Sequence, residues 1–157
     1  MHHRGMQDHR KLRVWKHAHD LALAVRRVSR TFPRTGYASL HSQITRAAES
    51  IVFNIAEGCG TTSQREFARF LDISIKSTLE LEAQLELARD YGALSGSAWG
   101  ETSTLVIDVR RMLCGLRSKV LSAAVTRQST GTTNESRRDR DINLPGRQTR
   151  KQGAAPQ

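Results

Sequence analysis

A chain of 157 residues suits one domain, and at 38% hydrophobic it can bury a core if part of its length stays outside that core. Aromatic residues make up 5%, too few for a nucleic-acid platform built from several exposed rings. Lysine and arginine number 25 against 15 acidic residues, and the resulting net charge of +10 favours polyanionic partners such as nucleic acid or anionic membrane over a soluble basic protein with no such partner.

The first ten residues are polar and carry His2, His3 and His9, so residues 1–12 are expected to form a flexible N-terminus. They lack the apolar core of a signal peptide, and no run approaches the ~18 apolar residues of a membrane span, so a cytoplasmic protein is expected. Cys59 and Cys114 lie far apart without a CxxC or a histidine cluster, which points to free thiols rather than a zinc site or a disulfide framework.

From Val14 the pattern changes. Trp15, Ala18, Leu21, Ala22, Val25, Val28 and Phe32 recur at steps of three and four, predicting a first helix that runs to about Phe32 and is stopped by Pro33. Arg26, Arg30 and Arg34 follow one another four apart on its outer side, with Arg27 beside them. Cations there complement the macrodipole at a helix C-terminus, and the same row is a candidate phosphate contact.

A second helix is predicted over about Ala38 to Glu57, with Leu40, Ile44, Ala47, Ala48, Ile51 and Ile55 on its buried face. Beside that face run Gln43, Arg46, Ser50, Asn54 and Glu57, an assembly or structural polar row. In the favoured reading, Asn54 and Glu57 hold the following loop and Arg46 finds a carboxylate; a ligand site is the lesser one. Gly58 and Gly60 are expected to close the helix through positive φ. Ser63 and Glu66 then match a capping box that opens the third helix.

The third helix, about Gln64 to Tyr91, carries two apolar stripes. One holds Phe67, Phe70, Leu71, Thr78, Leu81, Leu85 and Ala88; the other holds Ile75, Leu79, Ala83 and Leu87. Together they exceed the ~100° face that packing inside a small bundle requires, so a second burial surface and homo-oligomerisation are expected. After Gly92, a fourth helix starts loosely around Gly96 and Gly100. It firms from Thr104 with Leu105, Val109, Met112, Leu113, Leu116 and Val120 on one face, and Arg110, Arg111, Arg117 and Lys119 opposite or flanking it. It fades near Ala124. Residues 125–157 are nearly without aliphatics and read as a disordered basic tail. The fold class is therefore all-α, an antiparallel up-down-up-down four-helix bundle over residues 13–124.

No chemistry emerges from the motifs. Glu-x-x-His pairs for a di-metal site are absent, as are phosphate loops and nucleophile elbows, and His17, His19 and His41 stand singly. No metal, cofactor or small-molecule substrate is expected, and no catalytic residue is nominated.

Several segments nonetheless fall in one familiar order. LRVWKHAHDLA (Leu12 to Ala22), the FP at Phe32 and Pro33, LHSQITRAAESI (Leu40 to Ile51), NIAEG (Asn54 to Gly58), SQREFARFL (Ser63 to Leu71), LELEAQLELARDYGAL (Leu79 to Leu94) and MLCGLRSKV (Met112 to Val120) resemble the bacterial four-helix bundle family known as 23S ribosomal RNA intervening-sequence proteins, or S23-type, across about residues 10–122. The chain is also similar to the accessory protein of diversity-generating retroelements. The resemblance implies a small bundle without known catalytic activity, and in the retroelement case a basic homo-pentamer associated with a reverse transcriptase and with nucleic acid. Val52 stands where the family usually has proline, so a weaker kink in the second helix is expected.

Two functions follow as expectations. In the first, a homo-oligomeric accessory protein binds RNA or DNA through the phosphate backbone, with Arg26, Arg27, Arg30 and Arg34 on the first helix and Arg110, Arg111 and Arg117 on the fourth as contacts. In the second, the bundle is a scaffold for a protein such as a reverse transcriptase or an RNA-processing factor, with no direct nucleic-acid binding, and the polar row serves assembly.

Overall fold

The computed structural model describes residues 7–138, with side chains described to residue 126. A short 3-10 turn, His9–Lys11, precedes four helices: α1 (Arg13–Ser29), α2 (Ala38–Cys59), α3 (Gln64–Asp90) and α4 (Gly96–Arg138). Among the described residues there is no strand, and the fold is all-α. By packing, the described residues fall into two units, 7–124 and 125–138.

The first unit is built on one apolar cluster. Leu21 and Val25 of α1, Ile44, Ile51 and Ile55 of α2, and Leu71, Leu81 and Leu85 of α3 meet Val106, Val109 and Leu113 of α4. The three-and-four spacing predicts all of these but Val106: on α4 it placed Leu105 on the buried face, whereas Leu105 is exposed and its neighbour Val106 enters the core. Each buried Leu or Ile contributes roughly 1.5–3 kcal/mol through the apolar surface it removes from water. Thr78, fully buried in the same stripe, donates its hydroxyl to the Ile75 carbonyl at 2.6 Å and so brings no unpaired polar group with it.

Contacts between α2 and α3 run in opposite order along the two helices: Ser50 meets Ser77, Ser74 donates to the Ile51 carbonyl at 3.2 Å, and Gly58 faces Phe67 and Phe70. Small residues at these points let the two backbones approach closely. Gly58 and Gly60 do not close α2 by positive φ, as the sequence led us to expect. Gly60 has φ −81°, and Gly58 lies inside the helix, which runs to Cys59 rather than Glu57. Gly58 is required for space, because a Cβ there would stand 2.7 Å from the Phe67 ring and 2.9 Å from the Phe70 Cβ. The turn is held by Thr61, whose hydroxyl donates to the Gly58 carbonyl at 2.8 Å. Ser63 then caps α3, its hydroxyl accepting from the Glu66 amide at 3.3 Å.

α1 ends at Ser29, three residues short of Phe32. Pro33 disfavours the α region at Phe32, and Phe32 turns back to bury its ring against the core. Gly36 makes the reversal into α2 at φ 87°, and Gly92 does the same between α3 and α4 at φ 75°. α4 is capped by Ser95, which accepts from the Ala98 amide at 3.3 Å. Its last buried residue among those described is Val120, yet its helical backbone continues through the polar sequence to Arg138, beyond the expected fade near Ala124. The remainder of the expected tail, residues 139–157, lies outside the described residues.

Candidate nucleic-acid interface

The structure divides the seven candidate arginines into two groups. Arg26, Arg27, Arg30 and Arg34 are all exposed, and none has a carboxylate within 4 Å among the described residues. Arg26 and Arg27 occupy the last turn of α1, Arg30 is its C-cap, and Arg34 lies beyond Pro33 in the link to α2. Because the helix stops early, Arg34 does not extend a helical row; it enters the cluster through the turn. Tyr37 anchors that turn by donating its hydroxyl to the Tyr91 carbonyl at 2.9 Å, so the linker carrying Arg34 is tied to the far end of α3. Lys16 and His19 extend the exposed outer side of α1 toward its start.

The α4 arginines are placed differently. Arg110 donates to Glu82, and Arg117 pairs with Asp72, so both guanidinium groups bridge α4 to α3. Only about a quarter of the Arg110 and Glu82 side chains is exposed. A phosphate at Arg110 would have to displace a carboxylate held by a charge-assisted hydrogen bond, which takes Arg110 out of the contact set, whereas Arg117, about two-fifths exposed, meets Asp72 as an ion pair alone. Arg111 is exposed, with Asp108 4.0 Å away on its own helix, a weak pairing that leaves it accessible. Sequence reading missed Glu82 and Asp72 because a cross-helix pair depends on register. The acidic positions at the edge of the third helix's stripes were the one available signal.

The polar row of α2 is also divided. Ser50 shares a 2.9 Å hydrogen bond with Ser77 of α3, and Asn54 donates to the Ser50 carbonyl and hydroxyl at 2.8 and 3.1 Å. Asn54 thus braces the α2–α3 seam and does not hold the following loop. Gln43 donates to Ser39 one turn earlier at 3.3 Å. Arg46 and Glu57 are exposed and make no ion pair among the described residues, so Arg46 does not find the expected carboxylate. Gln43, Arg46, Glu49, Ser50, Asn54 and Glu80 border an open groove of about 570 Å³ beside the 62% exposed ring of Phe53.

Of the two cysteines, Cys59 is buried and Cys114 exposed. Burial, with the nearby Asp8 carboxylate adding to it, pushes the Cys59 thiol above its ordinary pKa. Among the described residues no three His, Cys, Asp or Glu side chains come together in a way that could hold a metal ion. No described helix is long and apolar enough to cross a membrane.

With this geometry in place, a family model described as 23S rRNA-intervening sequence protein matches residues 10–115. The chain belongs to that family. A solved Bacteroides thetaiotaomicron structure, a protein of unknown function from the S23 ribosomal protein family, superposes with a TM-score of 0.63 at 20% identity, covering 66% of this chain and 97% of that one. At that identity the likeness concerns the fold alone. No curated protein matches the chain in sequence. The match to the intervening-sequence family ends at residue 115, inside α4, and so takes in the basic end of α1, the α2–α3 seam and the Arg110–Glu82 bridge.

Proposed function

We propose that this member of the 23S rRNA-intervening sequence family is a non-enzymatic, homo-oligomeric basic bundle, pentameric by family resemblance, that binds RNA or DNA through the phosphate backbone as an accessory factor. The observation that carries the reading is the cluster of Arg26, Arg27, Arg30 and Arg34 at one end of α1. It comprises four exposed guanidinium groups without a carboxylate within 4 Å among the described residues, on a chain of net charge +10. Cations at a helix end gain from the macrodipole, but two in the last turn suffice for that, and Arg34 lies outside the helix. Neutralising phosphates uses all four. Arg111 is a further contact of the same kind. Affinity from such contacts would come from counterion release and depend weakly on sequence.

Replacing Arg26, Arg30 and Arg34 together with glutamine tests this reading. Binding to a structured RNA fragment should weaken for every sequence tried, and the slope of log K against log salt should fall by roughly one unit per contact removed. Unchanged affinity and slope would take this cluster out of the interface. A second reading, a scaffold for a reverse transcriptase or RNA-processing partner, draws on the exposed Phe53, Leu79 and Leu87 side chains. Capture of such a partner that survives nuclease treatment would favour it.

A further inference from the structure

Two surfaces of residues 7–124 are unexplained by the packing of a single chain, and they complement each other. The first is the outer stripe of α3. Leu79 and Leu87 are 51% and 44% exposed, Ala83 lies exposed between them, and Glu80, Glu86 and Asp90 flank the line, with Lys76 one turn before it. The second is an open groove of about 330 Å³ between the start of α1 and the middle of α4. Leu12, Val14, Met112 and Leu116 supply its apolar lining, and Arg13 and Lys119 stand on its edges. Neither cation has a carboxylate within 4 Å among the described residues.

Gly115 lines the same groove. A glycine in a helix interior weakens the helix, and this one is required neither by φ nor by crowding, since a Cβ built on it meets nothing within 4 Å. Its return lies outside the chain: without a side chain, another backbone can approach α4 closely. Lengths agree as well. Leu79 to Leu87 spans about 12 Å of helix and Met112 to Lys119 about 10 Å, at 1.5 Å per residue.

We propose that copies of this chain associate head to tail, the Leu79–Leu87 stripe of α3 on one copy lying in the α1–α4 groove of the next over Gly115. Acidic side chains beside the stripe then face Arg13 and Lys119. The occupant is a second copy because this chain itself carries a stripe of matching length, apolar character and opposite charge. Such a contact is heterologous, so it repeats around a closed ring or continues as a filament. The inference rests on the homo-oligomeric part of the reading above and is independent of nucleic-acid binding.

Two variants test it by sedimentation at tens of micromolar. Gly115→Leu fills the groove, and the pair Leu79→Glu with Leu87→Glu spoils the stripe; both sets of positions are exposed, so helix content by circular dichroism should match the parent. Each variant alone should sediment as a monomer, while the parent sediments as a larger species. Mixed one to one, they should form a dimer and nothing larger, because one partner retains a working stripe and the other a working groove. A parent that is itself monomeric would overturn both this inference and the oligomeric reading. An oligomeric parent whose variants keep its mass, or whose monomeric variants stay monomeric when mixed, would overturn this inference alone.

Discussion

Replacing Gly58 by alanine should destabilise the bundle although alanine is the better helix former. The added Cβ would sit 2.7 Å from one Phe67 ring carbon, 3.1 Å from a second and 2.9 Å from the Phe70 Cβ. Carbon atoms in contact prefer about 3.5–4.0 Å, so a shift of about 0.6–1 Å is needed. The Phe67 ring is buried and cannot swing into solvent, and the Phe70 Cβ is fixed to the α3 backbone, so the helices themselves must separate beside their turn. Overpacking of this kind costs about 1–3 kcal/mol, and the gain in helix propensity, at most about 1 kcal/mol, is smaller one residue from a helix end. The net loss is about 1–2 kcal/mol, or roughly 4–8 °C in Tm at about 4 °C per kcal/mol. Thermal melts followed by circular dichroism at one fixed protein concentration provide the assay. Gly100→Ala is the control: a Cβ there meets nothing within 4 Å, and the variant should melt at or slightly above the parent. If Gly58→Ala melted as high as the parent, close approach of α2 and α3 would not be the reason for a glycine at this position.

Other consequences are open to measurement. Ser63→Ala removes the acceptor of the Glu66 amide and should cost about 1 kcal/mol in urea unfolding, with Ser63→Asp retaining most of the stability. A double-mutant cycle on Arg110→Ala and Glu82→Ala should return a coupling of about 1 kcal/mol, reduced by added salt because the pair is part-exposed; zero coupling would return Arg110 to the candidate contacts. In the folded protein a thiol reagent should modify Cys114 and spare Cys59. Because the folded state raises the Cys59 pKa, it holds the thiol proton after the unfolded chain has released it. Stability from this group is therefore complete below the ordinary thiol pKa and declines as pH rises through it, and Cys59→Ala should flatten that decline in alkaline urea titrations.

The helices were legible because their apolar periodicity is strong. Leu21, Ile44, Ile51, Leu81 and Leu113 recur at helical spacing, and all are fully buried. Local chemistry was legible where one residue acts on its neighbours, as Ser63 does on the Glu66 amide or Pro33 on the end of α1. What depends on register was not. Gly58 has the sequence appearance of a helix stop, and only the position of Phe67 across the turn shows that it makes room for a ring. Arg110, Arg111 and Arg117 look alike along the chain, and the acids of α3 decide that two are bridged while Arg111 stays accessible. The second apolar stripe of α3 was readable as surplus. Leu79 and Leu87 are exposed in the single chain while Ile75 packs partly against the core. Helix propagation past Ala124 went unforeseen because no apolar repeat marks it.

Whether an assembled bundle grips nucleic acid by its phosphates can be read from analytical ultracentrifugation of the protein with and without a structured ribosomal RNA fragment at two salt concentrations. A free species several protomers in mass should co-sediment with RNA at low salt and be largely released when the salt is raised fourfold. A protein that sediments as a monomer and leaves the RNA boundary unmoved at low salt would contradict both assembly and binding.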